Sequence, residues 1–178
     1  MRQETERSSF NRSELRKVRS TSRAQTSGVI DKTPVVESLK ATLSDLYILQ
    51  LKTQYCHWNV EGPLFFSLHK LFEEQYEEIA EFVDRAAEMI RSLKETSPGS
   101  FDEFERLSNL EQMPAEKLSA NQMIEIMNQD HSNLAVQLKT RWETAEAVEE
   151  ASAIVLYEDL IEFHEKAAWM IRSHKSSQ

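Results

Sequence analysis

The sequence predicts an all-α protein in which a four-helix bundle, residues 34–178, follows a polar tail, residues 1–33. Two observations predict this class. Only three glycines and four prolines occur among 178 residues, while Glu, Leu, Ala, Lys and Met are abundant, which favours long helices over a sheet with many turns. Four segments also carry apolar residues at intervals of three and four, the spacing that gives a helix one buried face.

The tail is rich in Arg, Ser, Thr and Gln and has too few apolar side chains to offset the entropy of an ordered chain, so we expect disorder. It holds eight Lys and Arg against four Asp and Glu, whereas the rest of the chain holds 13 against 26. One interpretation is contact with DNA phosphates through the basic side chains of the tail, which are Arg2, Arg7, Arg12, Arg16, Lys17, Arg19 and Arg23. The alternative is a tail that only solvates the chain.

The first helix is expected to run from Thr33, as its cap, to about Trp58. Its apolar stripe comprises Val36, Leu39, Leu43, Tyr47 and Leu51. After a short turn, the second helix is expected from about Pro63 to Leu93, antiparallel to the first because the connection is brief. Its stripe comprises Phe65, Leu68, Phe72, Ile79, Val83, Ala86 and Ile90.

Residues 94–118 form a long connection interrupted by proline and glycine, in which four apolar residues predict a short extra helix: Phe101, Phe104, Leu107 and Leu110. A connection of this length can cross the bundle and start the third helix parallel to the second. Ser119 is the expected cap of the third helix, with Met123, Met127, Leu134, Leu138 and Trp142 on its stripe. The fourth helix is expected from about Ser152, with Leu156, Leu160, Phe163, Ala167 and Met170 or Ile171 facing the core.

Four side chains that can ligate metals lie at the end of the first helix and along the second. Asp84 and Glu88 are four residues apart and therefore project from one helical face. His69 precedes Asp84 by fifteen residues, roughly 22 Å along an unbroken helix, but within about 60° of rotation. One chain cannot close these ligands around one ion, whereas two antiparallel copies related by a two-fold axis can. His57, across the short turn from His69, completes the set.

Two imidazoles with two carboxylates suit iron, because carboxylate oxygens favour the ferric product, and zinc is a competing occupant. From spacing alone, a structural histidine and a solvated pair of acids are the commoner interpretations of such residues. Both interpretations stay open at this point.

Several longer runs of residues carry a resemblance to a known family. They are His57-Trp58-Asn59-Val60-Glu61-Gly62-Pro63, Leu68-His69 with Phe72-Glu73, Asp84 through Glu88, Phe163-His164-Glu165-Lys166 and Trp169-Met170-Ile171-Arg172. Over residues 34–173 the chain resembles the Dps family of mini-ferritins. The resemblance implies a ferritin-like fold and a ferroxidase centre between two subunits, with His57 and His69 from one chain and Asp84 and Glu88 from its neighbour.

The resemblance also implies a function. Ferrous iron would be oxidised with hydrogen peroxide, and the ferric product would be stored as a mineral inside a hollow homo-dodecamer that protects DNA from oxidative damage. Two other function classes remain open, namely a DNA-compacting structural protein with little iron chemistry and a shell that sequesters zinc or copper without turnover.

Two auxiliary features follow from the same resemblance. Trp58, next to His57, would absorb a stray oxidising equivalent, although an aromatic side chain that fills an interface is the simpler interpretation.

Acidic residues near the turn between the third and fourth helices would line pores for iron; here they are Glu146, Glu149 and Glu150. This chain has Ile154 and Val155 where an aspartate is common, so a solvated turn is an equal alternative.

The remaining residues with reactive side chains are expected to be structural. Cys56 is the single cysteine, which excludes an internal disulfide and favours a small buried side chain. His131, His164 and His174 lack a glutamate three residues earlier, so the motif that builds a di-iron site inside one subunit is absent. No apolar run is long enough to cross a bilayer and the first residues are too polar for a secretory signal, so we expect a cytoplasmic protein without membrane partners, associated with the nucleoid if DNA is bound.

Overall fold

The computed structural model describes residues 31–175, which form five helices: α1 (Thr33–Asn59), α2 (Phe65–Ser92), α3 (Phe101–Leu107), α4 (Ala120–Glu146) and α5 (Ala151–Arg172). No strand occurs in this part of the chain. The all-α class is therefore confirmed, with four long helices and a short extra helix in the crossover. Residues 1–30, with the disorder and the seven DNA contacts predicted for them, lie outside the described residues.

The two caps that were predicted from sequence have different outcomes. Ser119 caps α4 as predicted, because its side chain accepts a hydrogen bond from the Gln122 amide while the Gln122 side chain accepts one from the Ser119 amide. Thr33 is instead the first residue of α1, so its prediction as the cap is wrong. The Asp31 carboxylate accepts a hydrogen bond from the Thr33 amide at 2.9 Å, and hydrogen bonding to Thr33 lowers the pKa of Asp31.

The second helix begins two residues later than predicted. Gly62 has a φ of +93°, a left-handed conformation that L side chains rarely adopt. The turn that follows is closed by a hydrogen bond of 3.0 Å from the Phe65 amide to the Gly62 carbonyl. This tight turn holds the end of α1 next to the start of α2.

Ion pairs between α1 and α4 define how the helices run. Asp45, early in α1, pairs with Arg141, late in α4, at 2.6 Å, whereas Lys52, late in α1, pairs with Asp130, earlier in α4, at 2.6 Å. These two helices are therefore antiparallel. Because the short link at residues 60–64 makes α1 and α2 antiparallel, α2 and α4 run in the same direction, as the crossover predicted.

The predicted apolar stripes form the core with two exceptions. Among the side chains that are fully buried are Leu39, Leu68, Phe72, Ile79, Met123, Met127, Leu134, Leu138 and Leu160. The prediction was wrong for Leu51 and Phe65, which are 47% and 45% exposed. Phe101, which was predicted only as part of the short extra helix, is 71% exposed. Periodicity identifies the face of a helix, but residues at the edge of that face can lie outside the core of a single subunit.

A pair of histidines is buried between α4 and α5. The Nδ1 atoms of His131 and His164 are 2.9 Å apart and both side chains are completely buried, which supports their predicted structural role. One ring nitrogen must donate and the other accept, so the two neutral rings are opposite tautomers. Neither Nε2 atom has a hydrogen-bond partner among the described residues. Burial lowers the pKa of His131 to about 3, and burial, together with His131, lowers the pKa of His164.

We expect this pair to make the fold sensitive to acid. The unfolded chain takes up a proton on His131 near pH 6.5, whereas the folded core resists protonation until about pH 3. The free energy of unfolding is therefore unaffected by His131 above pH 6.5. It decreases as the pH falls from 6.5 towards 3, by up to about 1.4 kcal/mol per pH unit for His131.

Denaturant unfolding at about pH 7.5 and about pH 4.5 tests this expectation. The His131→Leu/His164→Leu variant should lose less free energy of unfolding between the two pH values than the unsubstituted protein. The comparison within each protein controls for the change in packing. Equal losses of unfolding free energy in both proteins would contradict the expected acid sensitivity of the histidine pair.

Candidate metal centre

The two predicted imidazole ligands meet where α1 ends and α2 begins. The Nδ1 atom of His57 lies 2.8 Å from the His69 carbonyl oxygen, and the Nδ1 atom of His69 lies 2.8 Å from the His57 carbonyl oxygen. The rings stack with centroids 3.8 Å apart and planes 18° apart. The turn at Gly62 therefore produces a symmetric pair of rings, each held by the backbone of the other residue.

These hydrogen bonds also set the tautomer of both rings. A carbonyl oxygen can only accept, so each Nδ1 atom must carry a proton and donate it. In the neutral ring the lone pair then lies on Nε2, which is free to ligate a metal ion. Histidine ligands in metalloproteins are commonly oriented by such a bond from the other ring nitrogen.

Two aromatic side chains extend the stack. The ring of Phe65 lies 4.9 Å from that of His69 with planes 26° apart, and the ring of Tyr76 meets His57 edge-on at 5.3 Å. Phe65 was predicted as a core residue but instead covers an imidazole. Tyr76 was not predicted at all, although its spacing of seven residues from His69 places both on one face of α2.

Glu73 is a carboxylate beside the pair that the predicted ligand set did not include. A hydrogen bond from Lys70 lowers the pKa of Glu73, burial opposes this in part, and Lys70, His57 and His69 each lower the pKa further by smaller electrostatic effects. Both imidazoles therefore lie within electrostatic reach of this carboxylate. The signal in the sequence was the spacing of four from His69, which puts the two side chains on neighbouring turns of one face.

The two predicted carboxylate ligands lie elsewhere. Asp84 and Glu88 are exposed on the same uninterrupted helix, and fifteen residues separate Asp84 from His69, or roughly 22 Å along the axis. In residues 31–175 no three His, Cys, Asp or Glu side chains converge well enough to hold a metal ion. A single subunit thus brings the two imidazoles together but does not bring the predicted carboxylates to them.

Comparison with known proteins identifies the family. The model of the ferritin-like domain matches residues 36–176. A protein from Bacillus anthracis named DNA protection during starvation protein 2 is 32% identical over 139 residues, which cover 78% of this chain and 94% of that protein. The chain belongs to the Dps family of ferritin-like proteins.

The chain is also similar to two further proteins, the first of which is a Dps. The crystal structure of Dps from Staphylococcus aureus matches with a TM-score of 0.77 and 30% identity, covering 81% of this chain and 96% of that one. An uncharacterized low temperature-induced protein from Nostoc is 35% identical over 145 residues, or 81% of each chain. The predicted ferritin-like bundle is therefore confirmed.

Large apolar side chains of this Dps chain are exposed around the imidazole pair. Trp58, Phe65 and Phe66 are 63%, 45% and 75% exposed. Trp58 also lines a groove of 390 Å³ between α1 and the crossover, which has both apolar residues, among them Leu51 and Phe101, and polar ones, namely Lys52, Asp102, Glu105 and Gln112. A cluster of exposed apolar residues of this kind is typical of a surface that another protein covers.

The acidic turn between α4 and α5 is only partly free to attract cations. Glu146 and Glu149 are exposed, but Glu150 pairs with Lys32 at 2.6 Å and its side chain is 14% exposed. Glu149 has a left-handed φ of 54°. Val155 is 53% exposed, so the departure from the family pattern at this position puts an apolar group on the surface.

The buried thiol of Cys56 and the polarity of the helices are two further properties of this Dps chain. Cys56 is completely buried, and burial raises the pKa of its thiol to about 12, so a reactive thiolate does not form near neutral pH. Every helix between residues 31 and 175 is too short or too polar to cross a lipid bilayer.

Proposed function

We propose that this Dps protein is a ferroxidase that stores iron. Ferrous iron is the substrate, hydrogen peroxide is the oxidant, and the ferric product accumulates as a mineral inside a hollow homo-dodecamer. Each site lies between two subunits, with His57 and His69 from one and Asp84 and Glu88 from the other. A member of this family from Vibrio cholerae is described as one of the ferritin-like diiron-carboxylate proteins, which supports iron as the metal.

The observation that carries the proposal is the state of the imidazole pair. Both Nδ1 atoms are used by backbone carbonyls, so both Nε2 lone pairs are available. Nitrogen ligands whose rings are held in this way by the backbone are typical of metal sites. The set lacks the oxygen ligands that ferric iron prefers, and Asp84 and Glu88 supply them from the exposed face of α2 when a second copy runs antiparallel.

The proposed reaction divides the work among these ligands. Two ferrous ions give one electron each, the O–O bond of one peroxide molecule breaks, and two protons are taken up to form water. The imidazoles hold the ferrous substrate, while the carboxylates stabilise the additional positive charge of the ferric product. Zinc fits the same ligands without giving an electron and would compete with iron.

The exposed apolar surface of the subunit supports the proposed assembly. The exposed rings of Trp58, Phe65 and Phe66 adjoin the incomplete site, so a partner that completes the site also covers them. Once covered, Trp58 fills space at the interface and is placed to give up an electron to a stray oxidant.

Glu146 and Glu149 line the proposed iron pores, whereas Glu150 contributes less because Lys32 neutralises it.

Peroxide titration of iron-loaded protein tests the function. The full-length protein is loaded anaerobically with ferrous iron, and peroxide is added in steps while ferric iron is measured by absorbance. We expect two irons to be oxidised for each peroxide. A purely DNA-compacting protein, or a shell that only sequesters zinc or copper, would not accelerate oxidation above the rate of iron in buffer.

We also propose that this protein binds DNA through its basic tail in the cytoplasm, at the nucleoid. The tail carries seven basic residues before residue 24 and adjoins a strongly acidic body. Repetition of the tail on every subunit multiplies weak phosphate contacts. The names of several relatives, which are DNA protection during starvation proteins, support this part of the proposal.

Removal of the tail should abolish DNA binding. In a gel-shift assay, we expect the full-length protein to retard duplex DNA at low salt and to release it as salt rises, because phosphate contacts release counterions. A variant that starts at Thr33 should not retard DNA, while its rate of iron oxidation should stay unchanged. Equal retardation by both proteins would contradict the role of the tail.

A further inference from the structure

We propose that Phe65 is a positioning residue of the metal site, because its ring holds the His69 imidazole in the orientation that directs the Nε2 atom to a metal ion. This inference rests on the proposed function in one respect, since it assumes that a metal ion binds to the imidazole pair. It adds to the site a residue that contacts a ligand without being one.

Three aromatic rings form one stack at the start of α2. The centroid of the His69 ring lies 3.8 Å from that of His57, with planes 18° apart, and 4.9 Å from that of Phe65, with planes 26° apart. One face of an imidazole has room for one stacked ring, so His57 and Phe65 lie against opposite faces of His69. Because Phe65 precedes His69 by four residues, α2 itself places these two side chains next to each other.

The hydrogen bond of His69 does not by itself fix the orientation of its ring. The Nδ1 atom lies 2.8 Å from the His57 carbonyl oxygen, so this bond holds one atom of the imidazole. The ring can still swing about that atom, and the Nε2 atom then changes direction. Stacked rings on both faces of His69 prevent this swing.

The two imidazoles differ in how firmly the rest of the subunit holds them. His57 is only 8% exposed, and the ring of Tyr76 meets it edge-on at 5.3 Å. His69 is half-buried, and His57 and Phe65 are the aromatic rings that pack on it within residues 31–175. His69 therefore depends more than His57 on a single neighbouring side chain.

Loss of the Phe65 ring is expected to weaken metal binding. One face of His69 would be open, and a metal ion would have to order the imidazole as it binds, which lowers affinity. Residues that orient a metal ligand typically contribute tenfold to hundredfold in metal affinity. We expect a loss of about tenfold, at the lower end of this range, because the hydrogen bond from Nδ1 remains.

Cobalt(II) binding to the assembled full-length protein tests this inference, since cobalt accepts nitrogen and oxygen ligands and is not oxidised in air on the timescale of a titration. Affinity is measured by calorimetry and by the visible absorption of the bound ion, on particles of unchanged solution mass. Phe65→Leu keeps an apolar side chain but cannot stack, and we expect it to bind cobalt about tenfold more weakly. Phe65→Tyr keeps the stacked ring and should bind within about twofold of the unsubstituted protein.

Phe66→Leu is the matched control. Phe66 is 75% exposed, next to Phe65 in the chain, and stacks on neither imidazole of the described residues, so its replacement removes the same ring without opening His69. An unchanged affinity in Phe65→Leu, or an equal loss in Phe66→Leu, would overturn the role of Phe65.

Asp84→Asn tests the proposed function separately from this inference. If Asp84→Asn bound cobalt normally while Phe65→Leu bound it weakly, the carboxylate ligands from a second subunit would be contradicted and the role of Phe65 would be supported. A lack of cobalt binding to the unsubstituted protein would overturn both.

Discussion

Asp84→Ala is expected to slow ferrous iron oxidation by more than roughly a hundredfold while the protein still folds and assembles. The side chain is exposed in the subunit, so its removal leaves the core unchanged. In the proposed site it supplies an oxygen ligand that stabilises the ferric product, and loss of a direct ligand costs more than the tenfold to hundredfold typical of a supporting residue. Stopped-flow absorbance after addition of peroxide gives the rate.

Glu81→Ala is the control for this substitution. It removes another exposed carboxylate from α2 and reduces the negative charge of the subunit by the same amount, but Glu81 is not in the proposed ligand set. We expect its rate to remain within about twofold of the unsubstituted protein, because only the general attraction of cations is weakened. A similar loss of oxidation rate in both variants would mean that the carboxylates of α2 promote iron oxidation through their negative charge and not as metal ligands.

The largest loss of stability is expected from Asp45→Ala. Asp45 is completely buried and accepts hydrogen bonds from Arg141 at 2.6 Å, from the Ser108 hydroxyl at 2.9 Å and from the Asn109 amide at 2.6 Å. It therefore joins α1 to both the crossover and α4. Its removal leaves the buried guanidinium without a counter-charge, and we expect a loss of about 3–5 kcal/mol in the free energy of unfolding.

A double substitution separates the charge from the packing. Asp45→Leu/Arg141→Met replaces both charges with apolar side chains, so no unpaired charge remains in the core. We expect it to be more stable than Asp45→Ala, as measured by denaturant unfolding at neutral pH. If Asp45→Ala stayed within about 1 kcal/mol of the unsubstituted protein, the ion pair would not be important for the fold.

Much of the fold could be predicted because local patterns determine it. The stripes of apolar residues, the scarcity of glycine and the long connection at residues 94–118 give four helices and their directions. The links that fix the helices against each other could not be predicted, because Asp45 and Arg141 are 96 residues apart and no local pattern joins them. The same holds for the pairing of His131 with His164.

The candidate site was predictable in part for a similar reason. His57 and His69 are close because a tight turn separates their helices, and that turn is visible in the sequence. Their mutual hydrogen bonds, the stacking of Phe65 on His69 and the edge-on contact of Tyr76 with His57 depend on ring orientations that spacing does not specify. Leu51 and Phe65 were misassigned to the core because periodicity identifies the apolar face of a helix but not how far the neighbouring helices cover its edges.

In the proposed site the imidazoles come from one chain and the carboxylates from another, and mixed assemblies test this division directly. His57→Ala/His69→Ala subunits and Asp84→Ala/Glu88→Ala subunits should each assemble into particles that do not oxidise ferrous iron.

The two kinds of subunit are then unfolded, mixed in equal amounts and reassembled. Half of the pairs across the two-fold axis should be mixed, and each mixed pair should contain one complete site and one that lacks all four ligands. We therefore expect the mixture to recover about a quarter of the activity of the unsubstituted protein. A mixture as inactive as its two components would contradict the claim, because the four ligands would then have to act within one chain.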